Sequence, residues 1–307
     1  MGLTHPVMLK NLLSLTRAGN LAIICLIFLI VRHTIINPFL GDDASSLNDH
    51  QFLLLLLSTV LTAAGGYIIN DIFDTGPDEF NRPGTNKVGN GITVFTARIL
   101  YASLTLGGLI SAVIFGESTG VKYTVLVIGL CAGLLYFYSS SYKSMLLIGN
   151  LVISLLAGFS VLMTILFDKN AMMNDSVVTV VSAYSIFAFL ITFNREIIKD
   201  CEDMEGDVRY GASTLPALFG TGTAKWVASL VAVTVLCGIG YIQIIQQQWQ
   251  SPVPFAYVIC FVQLPLIWLA ISSVRAQTKS DFRRASSYSK LIMLTGILSM
   301  IVFHFSL

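Results

Sequence analysis

Long stretches without a charged residue constrain this chain more than any other feature. The segment 51–69, "QFLLLLLSTVLTAAGGYII", contains no charged side chain. A helix needs about 20 apolar residues to cross a hydrocarbon layer about 30 Å thick. Only 11% of the 307 residues are charged, against about 25% in soluble domains. The sequence therefore predicts an all-α, polytopic membrane protein rather than one or two soluble domains.

Several further apolar segments have the length of a membrane span. We expect them to form a bundle of about nine transmembrane helices in a single integral-membrane domain, residues 1–307. No hydrophilic stretch between them is long enough to form a separate soluble domain. The predicted spans are 19–39, 51–70, 96–115, 121–139, 145–167, 176–194, 223–246, 252–273 and 286–306.

The distribution of lysine and arginine predicts how the bundle is oriented. With nine spans, only Arg32, Lys122 and Lys169 of the 18 basic residues fall on one side, and all the others share the side of the N-terminus. Cytoplasmic loops of membrane proteins carry this excess of positive charge. We therefore expect a protein of the cell inner membrane whose N-terminus and two long loops, 71–95 and 195–222, are cytoplasmic.

One short pattern occurs twice in the chain. The segment "NDIFDTGPD" (70–78) and the segment "KDCEDMEGD" (199–207) both contain three aspartates spaced D-x-x-D-x-x-x-D. The first pattern closes the second predicted span and the second follows the sixth, so both belong to the cytoplasmic side. Such repetition suggests a duplicated helical unit whose two acidic motifs face a central cavity.

The spacing of the aspartates places them on one side of a helix. Positions i, i+3 and i+7 lie within about 60° of each other at 3.6 residues per turn. In the first motif, Pro77 is expected to break the helix, which would put Asp78 just beyond the helix end.

Clustered carboxylates at the mouth of an apolar bundle require a compensating cation. A charge within a membrane span costs about 2.5–3.5 kcal/mol on insertion scales, and hard divalent ions suit clustered oxygen ligands. Mg²⁺ commonly combines one or two carboxylates with water and substrate phosphate. The pattern therefore favours a metal-bridged diphosphate site, and the basic residues predicted to contact the diphosphate are Arg82, Lys87, Lys143, Lys199 and Arg209.

A diphosphate site within membrane helices implies a substrate with a charged head and a long apolar tail. A polyprenyl diphosphate has this chemistry, and membrane lipids are the other expected partners. The net charge of +1 does not suggest a nucleic-acid partner. No obligate protein partner is evident in the sequence.

At these residues the sequence resembles the UbiA superfamily of intramembrane prenyltransferases. Asn70 and the aspartates after it match that family's N-D-x-x-D-x-x-x-D motif, and Asp203 with Asp207 matches its D-x-x-x-D motif. The segment "YSSSYK" (138–143) resembles its Y-S-x-x-x-K segment, and Arg17 with Asn20 resembles its R-x-x-N lead-in. The resemblance covers nearly the whole chain and implies a fold of nine transmembrane helices.

The resemblance also implies roles for individual residues. Asn70, Asp74 and Asp78 would hold one Mg²⁺, and Asp203 with Asp207 would hold a second. Asp71 and Asp200 would support these ligands. The four aspartates at positions 74, 78, 203 and 207 would thereby be catalytic. The residues expected to contact substrate are Asn20, Tyr67, Tyr138 and Ser139.

The acceptor of the prenyl group is the most open part of this interpretation. Residues 195–216, "REIIKDCEDMEGDVRYGASTLP", most resemble the branch that transfers geranylgeranyl to geranylgeranylglyceryl phosphate. An aromatic acceptor of quinone biosynthesis, 4-hydroxybenzoate or dihydroxynaphthoate, is the alternative. A secondary transporter is the alternative from another class, because repeats and intramembrane acids also mark transporters. A structural membrane subunit would leave the repeated aspartates without a role.

A small-residue motif lies in the fourth predicted span. Gly129 and Gly133 form G-x-x-x-G within "GLCAG". Because glycines at this spacing let two helix backbones approach closely, we expect close helix packing there.

Overall fold

The computed structural model describes residues 5–41, 44–245 and 252–306. Helices and the turns that join them make up these ranges, with one isolated bridge between Val88 and Ile92. Two π-helical segments, Val31–Ile36 and Ile259–Gln263, interrupt longer helices. The α-helices are α1 (His5–Leu15), α2 (Ala18–Ile30), α3 (Asn37–Leu40), α4 (Asp49–Phe73), α5 (Thr75–Asn81), α6 (Val94–Thr119), α7 (Thr124–Ser140), α8 (Ile148–Leu166), α9 (Lys169–Met173), α10 (Asp175–Arg209), α11 (Leu215–Ile245), α12 (Pro252–Val258), α13 (Leu264–Arg275) and α14 (Lys279–His304).

Membrane-spanning helices occur where the sequence predicts them. In the described ranges, eight helical stretches are long and apolar enough to cross a bilayer, and α7 is a shorter apolar helix of 17 residues. These nine stretches follow the nine predicted segments in order; residue 246, the end of the seventh, lies outside the described residues. The prediction of an all-α integral membrane protein is confirmed.

The helices group into two compact units. The first unit comprises Met1–Phe28 and Ser45–Lys143, and the second comprises Leu29–Ala44 and Ser144–Leu307. Each acidic motif belongs to a different unit. The unit boundary in the chain therefore separates the two copies of the repeated pattern.

In the first unit, small residues bring α4 and α6 close together. A Cβ placed on Gly108 of α6 would lie 3.0 Å from the Ser58 carbonyl oxygen and 3.2 Å from the Thr62 nitrogen, both backbone atoms of α4. Nearby, the Ser111 hydroxyl of α6 donates a 2.8 Å hydrogen bond to the carbonyl of Leu54. The backbone of α4, which carries the first acidic motif, is thus fixed against α6.

In the second unit, α10 is the central helix and packs against α8, α11 and α14. Its Ile191 and Ile197 are fully buried in a core that includes Leu266 of α13 and Ile292 of α14. A close approach of α8 to α10 occurs at Gly158, where a Cβ would lie 2.9 Å from the Ser185 carbonyl oxygen. The helix that carries the second acidic motif is therefore held on several sides.

The helix α10 is much longer than the predicted span 176–194. Its 35 residues correspond to a length of about 52 Å, whereas a bilayer core is about 30 Å thick. The helix continues through the whole second motif, which the sequence analysis assigned to a hydrophilic stretch after the span. The aspartate spacing predicted a helix at this motif, and the structure shows that this helix is a direct continuation of the sixth span.

Two local expectations in the first unit are corrected. Asp78 does not lie beyond a helix end: it lies inside α5, where Pro77 falls in the first turn and needs no intrahelical partner for its nitrogen. The G-x-x-x-G motif does not mark a close approach of two backbones: a Cβ on Gly133 would meet no described atom within 4 Å, and one on Gly129 would meet only the Leu109 side chain, at 3.9 Å. Gly108 has that role instead.

We predict that Gly108→Val destabilises the protein by about 1–3 kcal/mol, the usual cost of inserting atoms into a well-packed contact. The added carbons would force α6 away from the backbone of α4. Gly133→Val is the matched control, since it makes the same change in helix propensity at an open position. Denaturant titration in micelles measures both free energies of unfolding, and equal losses would contradict the packing argument.

Candidate active site

The first acidic motif lies at the junction of α4 and α5. Asn70 and Asp71, in the last turn of α4, are both only 8% exposed. Asp74 is the residue between the two helices, and the N–H of Asp78 bonds to its carbonyl at 2.8 Å. Because α5 restarts directly after α4, all four polar side chains emerge within three turns of helix.

Arg17 holds the beginning of this motif. Its Nη2 atom donates to Asn70 Oδ1 at 3.0 Å and to Asp71 Oδ1 at 2.9 Å. The guanidinium also lies over the Tyr67 ring, 5.1 Å from the ring centre. Burial by itself lowers the pKa of Arg17, but the Asp71 carboxylate with Tyr67 and Tyr138 raises that pKa above its ordinary value. Arg17 is therefore a permanent positive charge that fixes two predicted ligands.

Lys143 is the cation that contacts Asp74, the next aspartate of the motif. It follows α7 in a short 3₁₀ turn, and its ammonium contacts Asp74 Oδ1. Both side chains are mostly buried, so the pair is little screened by solvent. Two residues predicted from separate motifs are thus in direct contact.

Asn86 ties the loop after α5 to the motif. Its Nδ2 atom donates to the Asp71 carbonyl at 2.8 Å and to Asp78 Oδ2 at 3.0 Å. Its Oδ1 atom accepts from the N–H of Val88 at 2.9 Å. The sequence analysis missed this residue, because nothing in the loop distinguishes it from the neighbouring Asn90.

The second acidic motif lies on the C-terminal turns of α10. Asp200 Oδ2 accepts a 2.8 Å hydrogen bond from Asn150 Nδ2 of α8, and Asn150 is 6% exposed. Asp207 Oδ2 accepts from the Thr214 hydroxyl at 3.1 Å. Asp203 is half-buried between them. Asn150 and Thr214 are functional candidates that the sequence analysis missed, because nothing in their local sequence distinguishes them.

The basic residues predicted to bind the diphosphate differ in their exposure and in their partners. Arg82 and Lys87 follow Asp78 on the loop after α5, and both are half-buried. Lys199 Nζ lies 3.9 Å from Glu196 Oε2, so a carboxylate outside the predicted set already engages it. Arg209 is exposed in the last turn of α10. Of these predicted residues, Lys143 forms a described ion pair with a motif aspartate, Asp74.

The predicted substrate contacts divide into two groups. Asn20 lies in the first turn of α2, with its N–H bonded to the Arg17 carbonyl, and Tyr67 lies against the Arg17 guanidinium. Tyr138 is half-buried on α7. Ser139 is 2% exposed and donates its hydroxyl to the Leu135 carbonyl of its own helix. The buried, engaged hydroxyl does not favour a substrate contact for Ser139.

The donor atoms of the motifs fit magnesium, although they do not form a closed metal cage. Among the described residues, no three His, Cys, Asp or Glu side chains gather closely enough to hold a metal ion alone. Carboxylate and amide oxygens such as those of Asn70, Asp74 and Asp78 are hard ligands, and Mg²⁺ normally adds waters and substrate phosphates to one or two carboxylates. The contact of the Lys143 ammonium with Asp74 shows that this carboxylate accepts a cation.

Comparison with known proteins identifies the class. A model of the UbiA prenyltransferase family matches residues 39–294. The chain belongs to this family and is a prenyltransferase, an enzyme embedded in the membrane. Membership in an enzyme family decides against the transporter and the structural subunit that the acidic motifs left open.

Individual relatives are similar over most of their length. The digeranylgeranylglyceryl phosphate synthase of Methanosphaera stadtmanae is 28% identical over 251 residues, 82% of this chain and 87% of the relative. The protein of the same name from Hyperthermus butylicus is 30% identical over 299 residues, 96% of each chain.

Solved structures share the fold. One, described as giving "Structural and mechanistic insights into the biosynthesis of Digeranylgeranylglyceryl phosphate synthase in membranes", has a TM-score of 0.66 at 25% identity and covers 98% of this chain and 99% of its own. A UbiA homolog from Archaeoglobus fulgidus bound to GPP and Mg²⁺ has a TM-score of 0.54 at 15% identity, covering 95% and 99%.

We predict that Arg17→Gln destabilises the protein by about 1–3 kcal/mol, because it leaves the buried Asp71 carboxylate without its charged donor. The double variant Arg17→Gln with Asp71→Asn should recover most of this loss, since it removes both charges together. Unfolding free energies of the four proteins form a double-mutant cycle. Strictly additive losses would show that the pair is not coupled.

Proposed function

We propose that this enzyme transfers a geranylgeranyl group from geranylgeranyl diphosphate to geranylgeranylglyceryl phosphate inside the membrane. The observation that carries the proposal is the pairing of Asp74 with Lys143 at the junction of two membrane-associated helices. A carboxylate able to accept a cation, beside a fixed ammonium, is what binding of a metal–diphosphate complex requires. The glycerol phosphate acceptor is favoured by the names of relatives that align over most of the chain.

The two acidic motifs are proposed to act on the diphosphate through magnesium. Asn70, Asp74 and Asp78 would hold one ion, and Asp203 with Asp207 would hold a second. Bound Mg²⁺ supplies charge neutralisation on the leaving diphosphate. Asp71 and Asp200 are proposed as supports, since Arg17 and Asn150 respectively fix their carboxylates.

The basic residues are proposed to bind the diphosphate oxygens that the metal does not reach. Lys143 is the strongest candidate, because Asp74 already holds its ammonium at the first motif. Arg82 and Lys87 extend the positive charge along the loop that Asn86 anchors, and Lys199 with Arg209 would act from α10. Asn20, Tyr67 and Tyr138 are proposed as substrate contacts; Ser139 is not retained.

Bond making and breaking then follow from the substrates. The allylic C–O bond breaks and its electron pair leaves with the diphosphate. The acceptor hydroxyl oxygen forms the new C–O bond of an ether, and its proton can be taken by the departing diphosphate. The chain's contribution is to orient the two substrates and to hold positive charge at the leaving group.

The location of the site follows from charge distribution. We propose that the N-terminus and the loops after α5 and α10 face the cytoplasm of a cell whose inner membrane holds the protein. The lysine and arginine bias across the spans supports this orientation.

We predict that Asp74→Ala and Asp207→Ala each reduce product formation at least 100-fold, because each removes a ligand oxygen for the metal–diphosphate complex. Labelled geranylgeranyl diphosphate, Mg²⁺ and acceptor given to purified protein provide the assay. EDTA should abolish turnover and added Mg²⁺ should restore it.

Two neighbouring acids serve as matched controls for these variants. Glu79→Ala removes a carboxylate from α5 and Glu205→Ala removes one from α10, yet both are exposed and outside the proposed ligand set. Both controls should keep activity within a few-fold of the parent. Full activity in Asp74→Ala and Asp207→Ala would refute the metal role of the motifs.

The acceptor is tested by comparing reaction rates with different candidate acceptors. With labelled geranylgeranyl diphosphate, we expect a prenylated product from geranylgeranylglyceryl phosphate and at least a 100-fold lower rate with 4-hydroxybenzoate or dihydroxynaphthoate. A glycerol phosphate lipid presents an aliphatic hydroxyl on a charged headgroup, whereas the two aromatic acids present a ring. Faster prenylation of either aromatic acid would replace the lipid acceptor while leaving the prenyltransferase assignment intact.

A further inference from the structure

An open groove runs along the surface of the second unit, between α11 and α13. It encloses about 390 Å³, which is within the range of about 300–1,000 Å³ for pockets that bind small organic molecules. Its walls are apolar over most of their length, and one end carries a charge. The residues that define it best are Trp226, Val233, Leu236, Ile267, Ile271 and Arg275.

The walls of this groove belong to helices that cross the membrane. Both Leu215–Ile245 and Pro252–Arg275 are long and apolar enough to span a bilayer. Val233, Ile267 and Ile271 are each at least 40% exposed, so the protein does not cover them. Such a surface faces the hydrocarbon of the bilayer. An elongated apolar groove there has a shape that fits an acyl chain.

The charged end of the groove distinguishes it from an ordinary lipid-facing surface. Arg275 occupies the last turn of α13, and Trp226 stands across from it on α11 with 67% of its surface exposed. Next to Trp226, Lys225 Nζ donates a 2.7 Å hydrogen bond to the carbonyl of Ala276. This bond ties α11 to the residue after α13 at the charged end of the groove. Lys225 and Arg275 are each adjacent in sequence to one end of this link or to a lining residue.

Two cations that follow Arg275 in the chain are paired with carboxylates, whereas Arg275, among the described residues, is not. Lys279 Nζ lies 2.9 Å from Glu205 Oε2, and Arg283 Nε lies 2.9 Å from Glu202 Oε1. Within the described ranges, Arg275 has no carboxylate at ion-pair distance. A cation left open at the end of an apolar groove is complementary to an anionic headgroup attached to an acyl chain.

We propose that this groove binds one anionic phospholipid, with an acyl chain between α11 and α13 and its phosphate at Arg275. Tryptophan prefers the level of the lipid headgroups, which places the indole of Trp226 beside the glycerol region. Basic pockets between transmembrane helices bind anionic lipid headgroups on the same principle. This site is separate from the acidic motifs and does not depend on the proposed prenyl transfer.

Fluorescence of Trp226 tests the proposal. The chain has three tryptophans, so Trp249→Phe with Trp268→Phe leaves Trp226 as the single indole of the full-length protein. In nanodiscs, phosphatidylglycerol with brominated acyl chains should quench it at about fivefold lower mole fraction than brominated phosphatidylcholine, because one cation near the surface favours an anionic headgroup over a zwitterionic one by about 1 kcal/mol.

Variants separate the headgroup contact from the acyl-chain contact. In the single-tryptophan background, Arg275→Gln should abolish the preference for phosphatidylglycerol, and Val233→Phe should fill the groove and weaken quenching by both lipids. Arg98→Gln, at an exposed position on α6, makes the same change of charge and should retain the preference. Thermal melting of each variant verifies that it is folded.

Several results would overturn the proposal. Equal quenching by the two lipids in the parent protein would exclude a site for anionic lipid, and so would a preference that survives Arg275→Gln. Quenching unchanged by Val233→Phe would place the lipid outside the groove. A change from dimer to monomer in Val233→Phe, with no lipid preference in the parent, would identify a second copy of the chain as the occupant.

Discussion

Compensation of acidic side chains in an apolar surrounding is the constraint on which the structure of this prenyltransferase depends. An uncompensated carboxylate at the end of a membrane helix would be costly, and five of the six motif aspartates have an identified donor. In the first unit, Arg17 pairs with Asp71, Lys143 pairs with Asp74 and Asn86 donates a hydrogen bond to Asp78. In the second unit, Asn150 donates a hydrogen bond to Asp200 and Thr214 donates one to Asp207. These contacts hold the carboxylates at defined positions, and each carboxylate keeps further oxygen lone pairs that can bind a metal ion.

The two motifs have the same spacing but are built differently. In the first, Pro77 divides the helix so that Asp74 falls between α4 and α5, and the partners are two full cations and an amide. In the second, one continuous helix carries all three aspartates, and the identified partners of Asp200 and Asp207 are neutral. The two copies of the pattern therefore hold their carboxylates by different local structures.

Sequence reasoning succeeded for the features that are periodic or local. The repeated aspartates and the nine apolar segments both rest on patterns within short windows. It failed at Asn86, Asn150 and Thr214, each of which hydrogen-bonds to the side chain of a motif aspartate 7 to 50 positions away. It predicted a helix at the second motif from the aspartate spacing, but not that this helix is continuous with the sixth span, because apolar periodicity ends where the helix leaves the lipid. Close packing was expected at Gly133 and occurs at Gly108, since which glycine faces a neighbouring helix is a property of the packing.

The amino-acid sequence by itself determined that the protein is a helical membrane enzyme with two acidic motifs, because hydrophobic length and carboxylate spacing act along the chain. Only the tertiary structure decided which cation, amide or hydroxyl contacts a given carboxylate and that the side chain of Ser139 is buried. It also decided that Arg275 lies open at the end of an apolar groove while Lys279 and Arg283 are paired. The physical reason is that electrostatic and packing energies depend on distance in space, and residues far apart in the chain come within reach only when the helices pack.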